Sequence, residues 1–314
     1  MWRASKDNVL NQTGDRQNYK HRIDCYGNQK KPNGNTVTQH PSWTTVKIQP
    51  GSTQSLISLF SKSTKITTIC EEACCPNLPE CWGRGTATFM LLGDTCTRGC
   101  RYCSVNKGKP EAPDKNEPRD LAETIQQMKA KYIVLTMVDR DDLKDAGVSH
   151  ILETIHEIKK TNPNTKIELL VGDLNGDPGL IREVAVADID VFSHNIETVK
   201  RLYPKLRPQG RYKTALKVLK TAAYSGIQTK TSLIAGMGET SSEVFELLQD
   251  IKNAGVEIFT SGQYLRPSQS QIPVIKHRSP LWFDMVEKKA QSIGMKAKCG
   301  PLVRSSYMAE TLYK

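Results

Sequence analysis

The sequence contains few histidines, few aromatic residues and no long apolar segment. Histidine occurs 6 times in 314 residues, and aromatic residues make up 6% of the chain. Its apolar runs are strand-sized, as in residues 89–92, whereas a membrane-spanning helix needs roughly 18 consecutive apolar residues. The first residues, MWRASKD, also lack the apolar stretch of a secretory signal peptide. We therefore expect a soluble protein that has no membrane partner and is not a secreted disulfide scaffold.

The chain is basic, but its charge is not concentrated in one segment. Lysine and arginine total 44 against 33 aspartates and glutamates, which gives a formal net charge of +11. These residues form no basic arm interleaved with aromatic residues, the pattern typical of nucleic-acid binding. The composition therefore favours a solvated surface or an acidic protein partner over nucleic acid.

Most of the 9 cysteines lie in two neighbouring groups of three. The second group has the spacing C-x3-C-x2-C, which lets one short loop hold three thiolates around one cluster: Cys96, Cys100 and Cys103. A 4Fe-4S cluster has four irons, so three cysteines leave one iron open to a reacting molecule, whereas a structural site would close with a fourth ligand. A zinc knuckle is the alternative, but zinc sites usually contain two C-x2-C pairs or additional histidines.

After residue 86, short apolar segments alternate with amphipathic ones. The apolar segments are rich in β-branched residues, and those between them have helical periodicity. Strands are predicted at residues 87–92, 132–137, 167–171, 189–192, 230–235 and 257–261, and helices at 119–130, 148–160, 179–186, 212–224 and 241–254. Because parallel strands need crossover connections, this order predicts an α/β fold, namely a partial, open (βα)6 parallel barrel.

Chemistry in such barrels gathers at the carboxyl ends of the strands. Several residues capable of chemistry end or follow the predicted strands: Cys96, Thr136, Asn195 and Gln263. We divide the chain into a flexible N-terminal extension (1–40), an N-terminal segment around the first cysteine group (41–86), the barrel (87–280), and a C-terminal helix with the motif RSSY (281–314).

The three-cysteine run, its aromatic Tyr102 and its position after the first strand resemble the radical S-adenosylmethionine enzymes. In that family the open iron binds the amino and carboxylate groups of S-adenosylmethionine. The first cysteine group, Cys70-x4-Cys75-x5-Cys81, is similar to the signature that precedes the radical motif in lipoyl synthases. Further similar stretches are GTATFM (85–90), DRDDL (139–143), HNIET (194–198), GMGET (236–240), QYLRPS (263–268) and RSSYMA (304–309). The resemblance covers roughly residues 41–312.

This resemblance implies an enzyme that inserts two sulfur atoms at C6 and C8 of an octanoyl chain held on a lysine of a carrier protein. Two molecules of S-adenosylmethionine are cleaved, and the sulfur comes from an auxiliary 4Fe-4S cluster. The implied ligands of the radical cluster are Cys96, Cys100 and Cys103. Those of the auxiliary cluster are Cys70, Cys75, Cys81 and Ser306, with Ser305 as the fallback.

The resemblance also implies partners. The partners are octanoylated lipoyl carrier domains of 2-oxoacid dehydrogenases, the glycine cleavage H protein, an electron donor of flavodoxin or ferredoxin type, and an iron-sulfur carrier. The expected location is cytoplasmic, because cysteines kept as thiolates fit a reducing, cytosol-like compartment, and a mitochondrial or plastid matrix is the alternative. Asp7, Asp15 and Asp24 argue against a transit peptide.

Contacts to S-adenosylmethionine follow from the same resemblance. The residues concerned are Tyr102, Thr136, Glu168, Asn195 and Arg207. Thr136, Glu168 and Asn195 are expected at or just beyond the ends of strands two, three and four. Each could equally be a polar side chain whose hydrogen bonds are satisfied within the fold and that does not contact the cofactor. Arg207, Arg266 and Arg304 are expected to meet the cofactor carboxylate or an acidic carrier surface, with plain solvation as the alternative.

Three points stay open from the sequence. Cys74 lies inside the first cysteine group and could compete with Cys75, although the spacing favours Cys75. A different radical sulfur-inserting enzyme, resembling biotin synthase, is a second hypothesis, but such enzymes lack the first cysteine group and RSSY. A non-catalytic iron-sulfur or zinc protein that binds RNA is a third, and counting iron and sulfide separates it from the enzyme.

Overall fold

The computed structural model of the protein describes residues 41–44, 67–72, 75, 77, 81 and 86–313. The predicted extension of residues 1–40 lies outside the described residues, as does Cys74. Among the helices of the described part, none is both long and apolar enough to cross a membrane.

The centre of the fold is an eight-stranded sheet. In chain order the strands are β1 (Thr67–Thr68), β2 (Thr88–Leu91), β3 (Thr95–Cys96), β4 (Asn106–Lys107), β5 (Tyr132–Met137), β6 (Lys166–Leu170), β7 (Val191–Ser193), β8 (Gln228–Ala235), β9 (Ile258–Gln263) and β10 (Lys296–Gly300). The described strands of the sheet pair in the linear order β1-β2-β5-β6-β7-β8-β9-β10, which leaves two open edges. All neighbours are parallel except β1, which is antiparallel to β2. Strands β3 and β4 form a separate parallel pair.

Helices connect the parallel strands. The α-helices of the described residues are α1 (Ile69–Glu72), α2 (Glu117–Met128), α3 (Val148–Thr161), α4 (Pro178–Ala185), α5 (Tyr203–Leu206), α6 (Tyr212–Tyr224), α7 (Ser241–Asn253), α8 (Pro280–Ser292) and α9 (Ala309–Leu312). Short 3-10 helices lie at Ser42–Thr44, Leu174–Gly176 and Lys200–Leu202.

The strands are almost fully buried, as expected for a parallel sheet with helices packed against it. Every residue of β2, β7 and β9 is buried. Ile133 and Leu135 of β5 share an apolar core with Ile151 of α3. Helix α7 begins with a capping box, in which the Thr240 hydroxyl accepts from the Glu243 N–H and the Glu243 carboxylate accepts from the Thr240 N–H.

The predicted α/β fold, an open and partial parallel barrel, is confirmed. All the predicted strands and helices are present, with bounds within two residues of those expected. A seventh parallel strand, β10, is not predicted by the sequence, because lysines alternate there with the small buried residues Ala297 and Cys299 instead of β-branched ones. The division of the chain into four parts stays a prediction.

The C-terminal segment after β10 folds back onto the sheet. The backbone of Val303 passes so close to Gly262 of β9 that a Cβ there would overlap the Val303 carbonyl group. Farther on, Ala309 of α9 packs against Val134 of β5. This path determines where Ser306 lies.

Candidate active site

The second cysteine group lies in the loop that joins β3 to β4. Cys96 ends β3, and the pairing of β3 with β4 closes the loop at its base. The N–H of Cys103 donates to the Cys100 carbonyl at 3.2 Å. All three residues are partly buried, and the Cys100 thiol acts electrostatically on the other two. The structure therefore brings the three predicted cysteines together.

Burial disfavours the ionised form of these thiols. Burial raises the pKa of Cys96 and Cys100, and it raises that of Cys103 to about 11. Metal ligation requires thiolates, so the bound metal must compensate for the burial. Within the described part of the chain, no three Cys, His, Asp or Glu side chains are placed to hold a single metal ion. The donor set of three thiolates on one loop fits a 4Fe-4S cluster.

Arg98, between Cys96 and Cys100, anchors this loop to the barrel. It is only 7% exposed. Its Nε and Nη2 donate to the Asp141 carboxylate at 2.8 and 2.7 Å, and its Nη1 lies 2.7 Å from the Asp173 carboxylate. The hydrogen bonds from Arg98 lower the pKa of Asp141. Because Asp141 follows β5 and Asp173 follows β6, these contacts hold the loop over the carboxyl ends of the strands.

The opposite side of the cysteine loop contacts the loops after β7 and β9. The N–H of Arg101 donates to the Leu206 carbonyl at 2.9 Å, and the N–H of Ile272 donates to the Arg101 carbonyl at 3.1 Å. The Gln271 side chain donates to the Cys103 carbonyl at 3.1 Å. Four loops at the carboxyl ends of β5, β6, β7 and β9 therefore surround the three thiols.

Three of the residues predicted to contact S-adenosylmethionine lie together beside this loop. Nη1 of Arg207 donates to the Asn195 carbonyl at 3.1 Å and to the Tyr203 hydroxyl at 2.9 Å. Burial raises the pKa of Tyr102 well above its usual value, the Glu197 carboxylate adds to this effect, and Arg207 opposes it. Tyr102, Asn195 and Arg207 thus share one buried polar environment.

This environment contains buried polar atoms that have no hydrogen-bond partner among the described residues. They are Nε of Arg207, Oδ1 of Asn195 and Oε2 of Glu197. An unpaired buried polar group costs about 1–3 kcal/mol, so such atoms often mark the place of a missing ligand. A ligand with a carboxylate for the guanidinium and an ammonium for the two oxygens would satisfy all three. The amino acid portion of S-adenosylmethionine has both groups.

Thr136 and Glu168 are placed differently. Thr136 is the penultimate residue of β5 and is buried. The strand-end position expected for Glu168 is wrong, because Glu168 is the middle residue of β6. Its carboxylate accepts from Lys230 Nζ at 2.8 Å and from the Tyr132 hydroxyl at 3.0 Å. Lys230 lies on β8, two strands away, so both side chains point to the inside of the curved sheet. Contacts of Thr136 and Glu168 with the cofactor stay predictions.

A cavity joins the first cysteine group to the C-terminal segment. Its lining includes all four residues predicted to bind the auxiliary cluster, namely Cys70, Cys75, Cys81 and Ser306. Arg304 lines it as well, whereas the fallback residue Ser305 is not part of the lining. Three thiols and one hydroxyl around one cavity fit an iron-sulfur cluster with an oxygen ligand.

Asn77 connects the two segments that build this cavity. Its side-chain Nδ2 donates to the Leu302 carbonyl at 2.5 Å, and its own carbonyl accepts from the Cys81 N–H at 2.9 Å. The N–H of Cys75 donates to the Cys70 carbonyl at 3.0 Å, which turns the chain between these two cysteines. Backbone geometry thus sets the spacing of the thiols, and Asn77 attaches them to the C-terminal segment.

Three charged residues that shape the site are not singled out by the sequence. Arg98 lies within the cysteine run, Glu197 within HNIET and Glu239 within GMGET. The Glu239 carboxylate accepts from the N–H groups of Gly236 and Met237 at 2.8 and 3.0 Å and so fixes the turn after β8. All three lie in stretches already noted as similar to a family, but one sequence does not indicate which members of a stretch are buried.

Comparisons with known proteins agree with this geometry. A profile described as the Radical SAM superfamily matches residues 90–251. The lipoyl synthase of Caldicellulosiruptor saccharolyticus is 44% identical over 280 residues, which cover 88% of this chain and 98% of that protein. The lipoyl synthase of Mannheimia succiniciproducens is 47% identical over 280 residues, or 87% of each protein. The chain belongs to the lipoyl synthase family.

Lipoyl synthases are radical S-adenosylmethionine enzymes that use this cofactor and 4Fe-4S clusters, so the predictions of family, enzyme class and cofactors are confirmed. A solved structure with the same fold is that of methylornithine synthase (PylB). It has a TM-score of 0.55 and 14% identity, and the match covers 80% of this chain and 72% of that one. At this identity the likeness concerns the fold alone.

Proposed function

We propose that this protein is a lipoyl synthase, which inserts two sulfur atoms at C6 and C8 of an octanoyl chain attached to a carrier lysine. The observation that carries the proposal is the presence of two distinct cysteine sites in one chain. One is a loop held over the carboxyl ends of the barrel strands by Arg98. The other is a cavity that three further cysteines share with Ser306.

The cysteine loop is suited to hold a 4Fe-4S cluster with one open iron, through Cys96, Cys100 and Cys103. The chemistry that this cluster and S-adenosylmethionine supply when bound is reductive cleavage of the sulfonium bond to a 5′-deoxyadenosyl radical, which takes a hydrogen atom from the octanoyl chain. The surrounding residues position the reactants and keep water away from them. Arg98 helps to position the reactants, because it fixes the cysteine loop to two strand ends at once.

Arg207, Asn195 and Glu197 are suited to orient S-adenosylmethionine. Nε of Arg207 can donate to its carboxylate, and the unpaired oxygens of Asn195 and Glu197 can accept from its ammonium group. Charge-assisted hydrogen bonds are stronger in a buried site than in water, because the local dielectric constant is lower. Tyr102 lies beside them and next to the last cysteine of the loop.

The auxiliary cluster is the source of sulfur and is consumed, so it is a substrate of the reaction. Cys70, Cys75 and Cys81 offer soft thiolates, whereas Ser306 offers a hard oxygen that matches sulfide-bound iron poorly. The iron held by Ser306 is therefore the one most easily released when sulfur leaves. The positive charge of Arg304 at the same cavity favours binding of an anionic cluster.

The carrier in this proposal is an octanoylated lipoyl domain of a 2-oxoacid dehydrogenase or the glycine cleavage H protein. An electron donor of flavodoxin or ferredoxin type is needed, because each cleavage of S-adenosylmethionine consumes an electron. An iron-sulfur carrier is needed to rebuild the consumed cluster. The two lipoyl synthases compared above are bacterial, which favours a cytoplasmic location over an organelle matrix.

The test is an anaerobic single turnover with octanoylated H protein, S-adenosylmethionine and dithionite, followed by intact-mass spectrometry of the carrier. Iron and sulfide are counted beforehand, and we expect two 4Fe-4S clusters per chain. We expect a carrier that gains two sulfur atoms and a molar yield of 5′-deoxyadenosine about twice that of lipoyl product, by stoichiometry. Protein that binds zinc instead of iron, or that cleaves S-adenosylmethionine without adding sulfur, would contradict the proposal.

Ser306→Ala and Ser305→Ala form a matched pair for the oxygen ligand. Ser306 lines the cavity and Ser305 does not. We expect Ser306→Ala to retain cleavage of S-adenosylmethionine, because that chemistry belongs to the other cysteine group, and to lose sulfur insertion. Ser305→Ala should be much milder. Equal yields of lipoyl product from the two variants would remove Ser306 from the ligand set.

A further inference from the structure

Part of the rim of the barrel mouth carries exposed positive charges that are not paired with acids. In the sequence, residues 198–238 contain nine lysines and arginines but no aspartate or glutamate, and residues 258–283 also contain no acid. These two stretches include the loops after β7 and β9, which border the cysteine loop. Three exposed lysines of these two loops and one exposed arginine of the cysteine loop define what we call the basic rim: Arg101, Lys200, Lys205 and Lys276.

Backbone hydrogen bonds hold the parts of the basic rim against one another. Arg101 is bonded on one side to Leu206, next to Lys205, and on the other to Ile272, at 2.9 and 3.1 Å. The N–H of Lys276 donates to the carbonyl of Gly236, at the end of β8, at 3.2 Å. The basic rim is therefore a continuous sector of the mouth and not a sequence coincidence.

The cations of the basic rim have no ion-pair partner among the described residues, whereas several cations in other places do. Arg201, in the same loop, pairs with Glu243 at 2.6 Å and is thereby neutralised. At the amino ends of the strands, Lys159 and Lys166 both pair with Asp190, at 3.8 and 2.8 Å. The charge of the basic rim is thus not compensated by ion pairs with other described residues.

Exposed apolar side chains accompany these cations. Ile275 is 60% exposed and precedes Lys276, and Leu281, in the first turn of α8, is 79% exposed. The indole N–H of Trp282 donates to the Ser241 hydroxyl at 2.9 Å, which places the start of α8 beside the start of α7, at the carboxyl ends of the strands. Apolar side chains among charged ones are typical of protein interfaces.

The same surface is poorly suited to nucleic acid. Single strands bind to basic surfaces that also offer aromatic rings for stacking. The large exposed aromatic side chains of the described residues are Trp43 and Tyr224, and neither belongs to the loops that form the basic rim.

We infer that the basic rim is the docking surface for an acidic face of the octanoylated carrier protein. This inference rests on the proposed function, since the carrier is the substrate of that reaction. A carrier bound there lies beside Arg101 and hence beside the cysteine loop that Arg101 belongs to. Complementary charge accelerates encounter and orients the partner, so the rim acts mainly on the association rate.

The test uses a double charge reversal in the full chain, Lys205→Glu with Lys276→Glu. Both side chains are exposed and have no hydrogen bond to another described residue. The matched control is Lys220→Glu with Lys288→Glu, which makes the same change of charge on exposed positions of α6 and α8 outside the rim. Association with octanoylated H protein is measured by stopped flow at about 0.05 and about 0.3 M salt.

We expect the rim variant to associate about tenfold or more slowly than the control at low salt, and the difference to shrink at high salt. Turnover of a short uncharged octanoyl-lysine peptide should equal that of wild type, because the reaction centre is intact. A rim variant that binds H protein as fast as the control would overturn the inference, even if the wild-type enzyme forms lipoyl product.

Two other outcomes would also contradict the docking inference. If the wild-type enzyme converts neither H protein nor the peptide, the proposed function fails and the inference fails with it. If the rim variant loses binding to a single-stranded RNA oligonucleotide while its association with H protein is unchanged, the basic rim is a nucleic-acid surface and the docking inference is wrong.

Discussion

Arg98 offers a way to test whether the cysteine loop must be fixed to the barrel for the radical chemistry. Its guanidinium contacts Asp141 with two nitrogens and Asp173 with a third. Lysine keeps the charge but has a single nitrogen on a flexible stem, so Arg98→Lys cannot reproduce the forked contact. We expect this variant to fold but to hold the loop of Cys96 and Cys100 loosely.

The magnitude follows from the burial of the partners. Removing one member of a buried ion pair costs about 3–5 kcal/mol. The Asp173 side chain is 7% exposed, but that of Asp141 is 36% exposed and keeps much of its solvation. We therefore expect Arg98→Ala to cost about 3 kcal/mol, the lower end of that range, which corresponds to a fall of about 5 °C in Tm for a chain of this length. Arg98→Lys should cost less than half of this, since the charge is retained.

The assay compares stability with cluster retention. The control is Arg278→Lys, because Arg278 is also buried and paired with a carboxylate, Glu239 at 2.8 Å, but is not bonded to the cysteine loop. We expect both lysine variants to have a slightly lower Tm than the wild-type protein in calorimetry. Only Arg98→Lys should also lose iron, up to about half of the total if one of two clusters is lost. It should weaken the electron paramagnetic resonance signal of the reduced cluster with S-adenosylmethionine in proportion. Arg98→Lys with full iron content, or an equal loss of iron from Arg278→Lys, would refute the positioning role.

Three further predictions concern other parts of the molecule. Replacing Cys96, Cys100 and Cys103 together by Ala should abolish formation of 5′-deoxyadenosine and leave about half the iron, and persistent 5′-deoxyadenosine would exclude these ligands. Burial lowers the pKa of His194 to about 4, from an ordinary value near 6.5. Its contribution to stability is therefore complete above pH 6.5 and is lost as the pH falls towards 4. Denaturant titrations should show that the free energy of unfolding falls by about 2 kcal/mol between pH 7 and pH 5, and by less in His194→Gln. Gly262→Ala should displace the C-terminal segment and lower the iron content of the auxiliary site, because the added Cβ meets the Val303 carbonyl, and an unchanged iron count would refute this.

Local spacing made the cysteine sites predictable. Cys96, Cys100 and Cys103 are close in the sequence, so a short loop must bring them together whatever the rest of the fold does. Asn195 follows β7, a buried strand whose end the hydrophobic pattern indicates within two residues. Predictions of this kind need only one strand or loop and the residues that directly follow it in the sequence.

Predictions failed where a side chain's environment comes from elements distant in the sequence. Glu168 is a polar residue in a strand, and no local signal shows that Lys230 of β8 neutralises it inside the barrel. Arg98 similarly owes its burial to Asp141 and Asp173, which follow two other strands. The residues in these networks are visible in the sequence, but their pairing is a property of the tertiary structure.

Strand β10 shows that an element missed in the sequence can be essential to the site. The first cysteine group precedes β2, whereas Ser306 follows β10. Strands β2 and β10 lie at opposite ends of the parallel part of the sheet. A closed barrel would pair β2 with β10, whereas the described strands leave that side open. Donors from the two flanking segments can meet there, as they do in the cavity shared by Cys70 and Ser306. The openness of the barrel is therefore the structural condition for an auxiliary site with ligands from both segments, and the parallel pairing of β10 with β9 directs the chain to it.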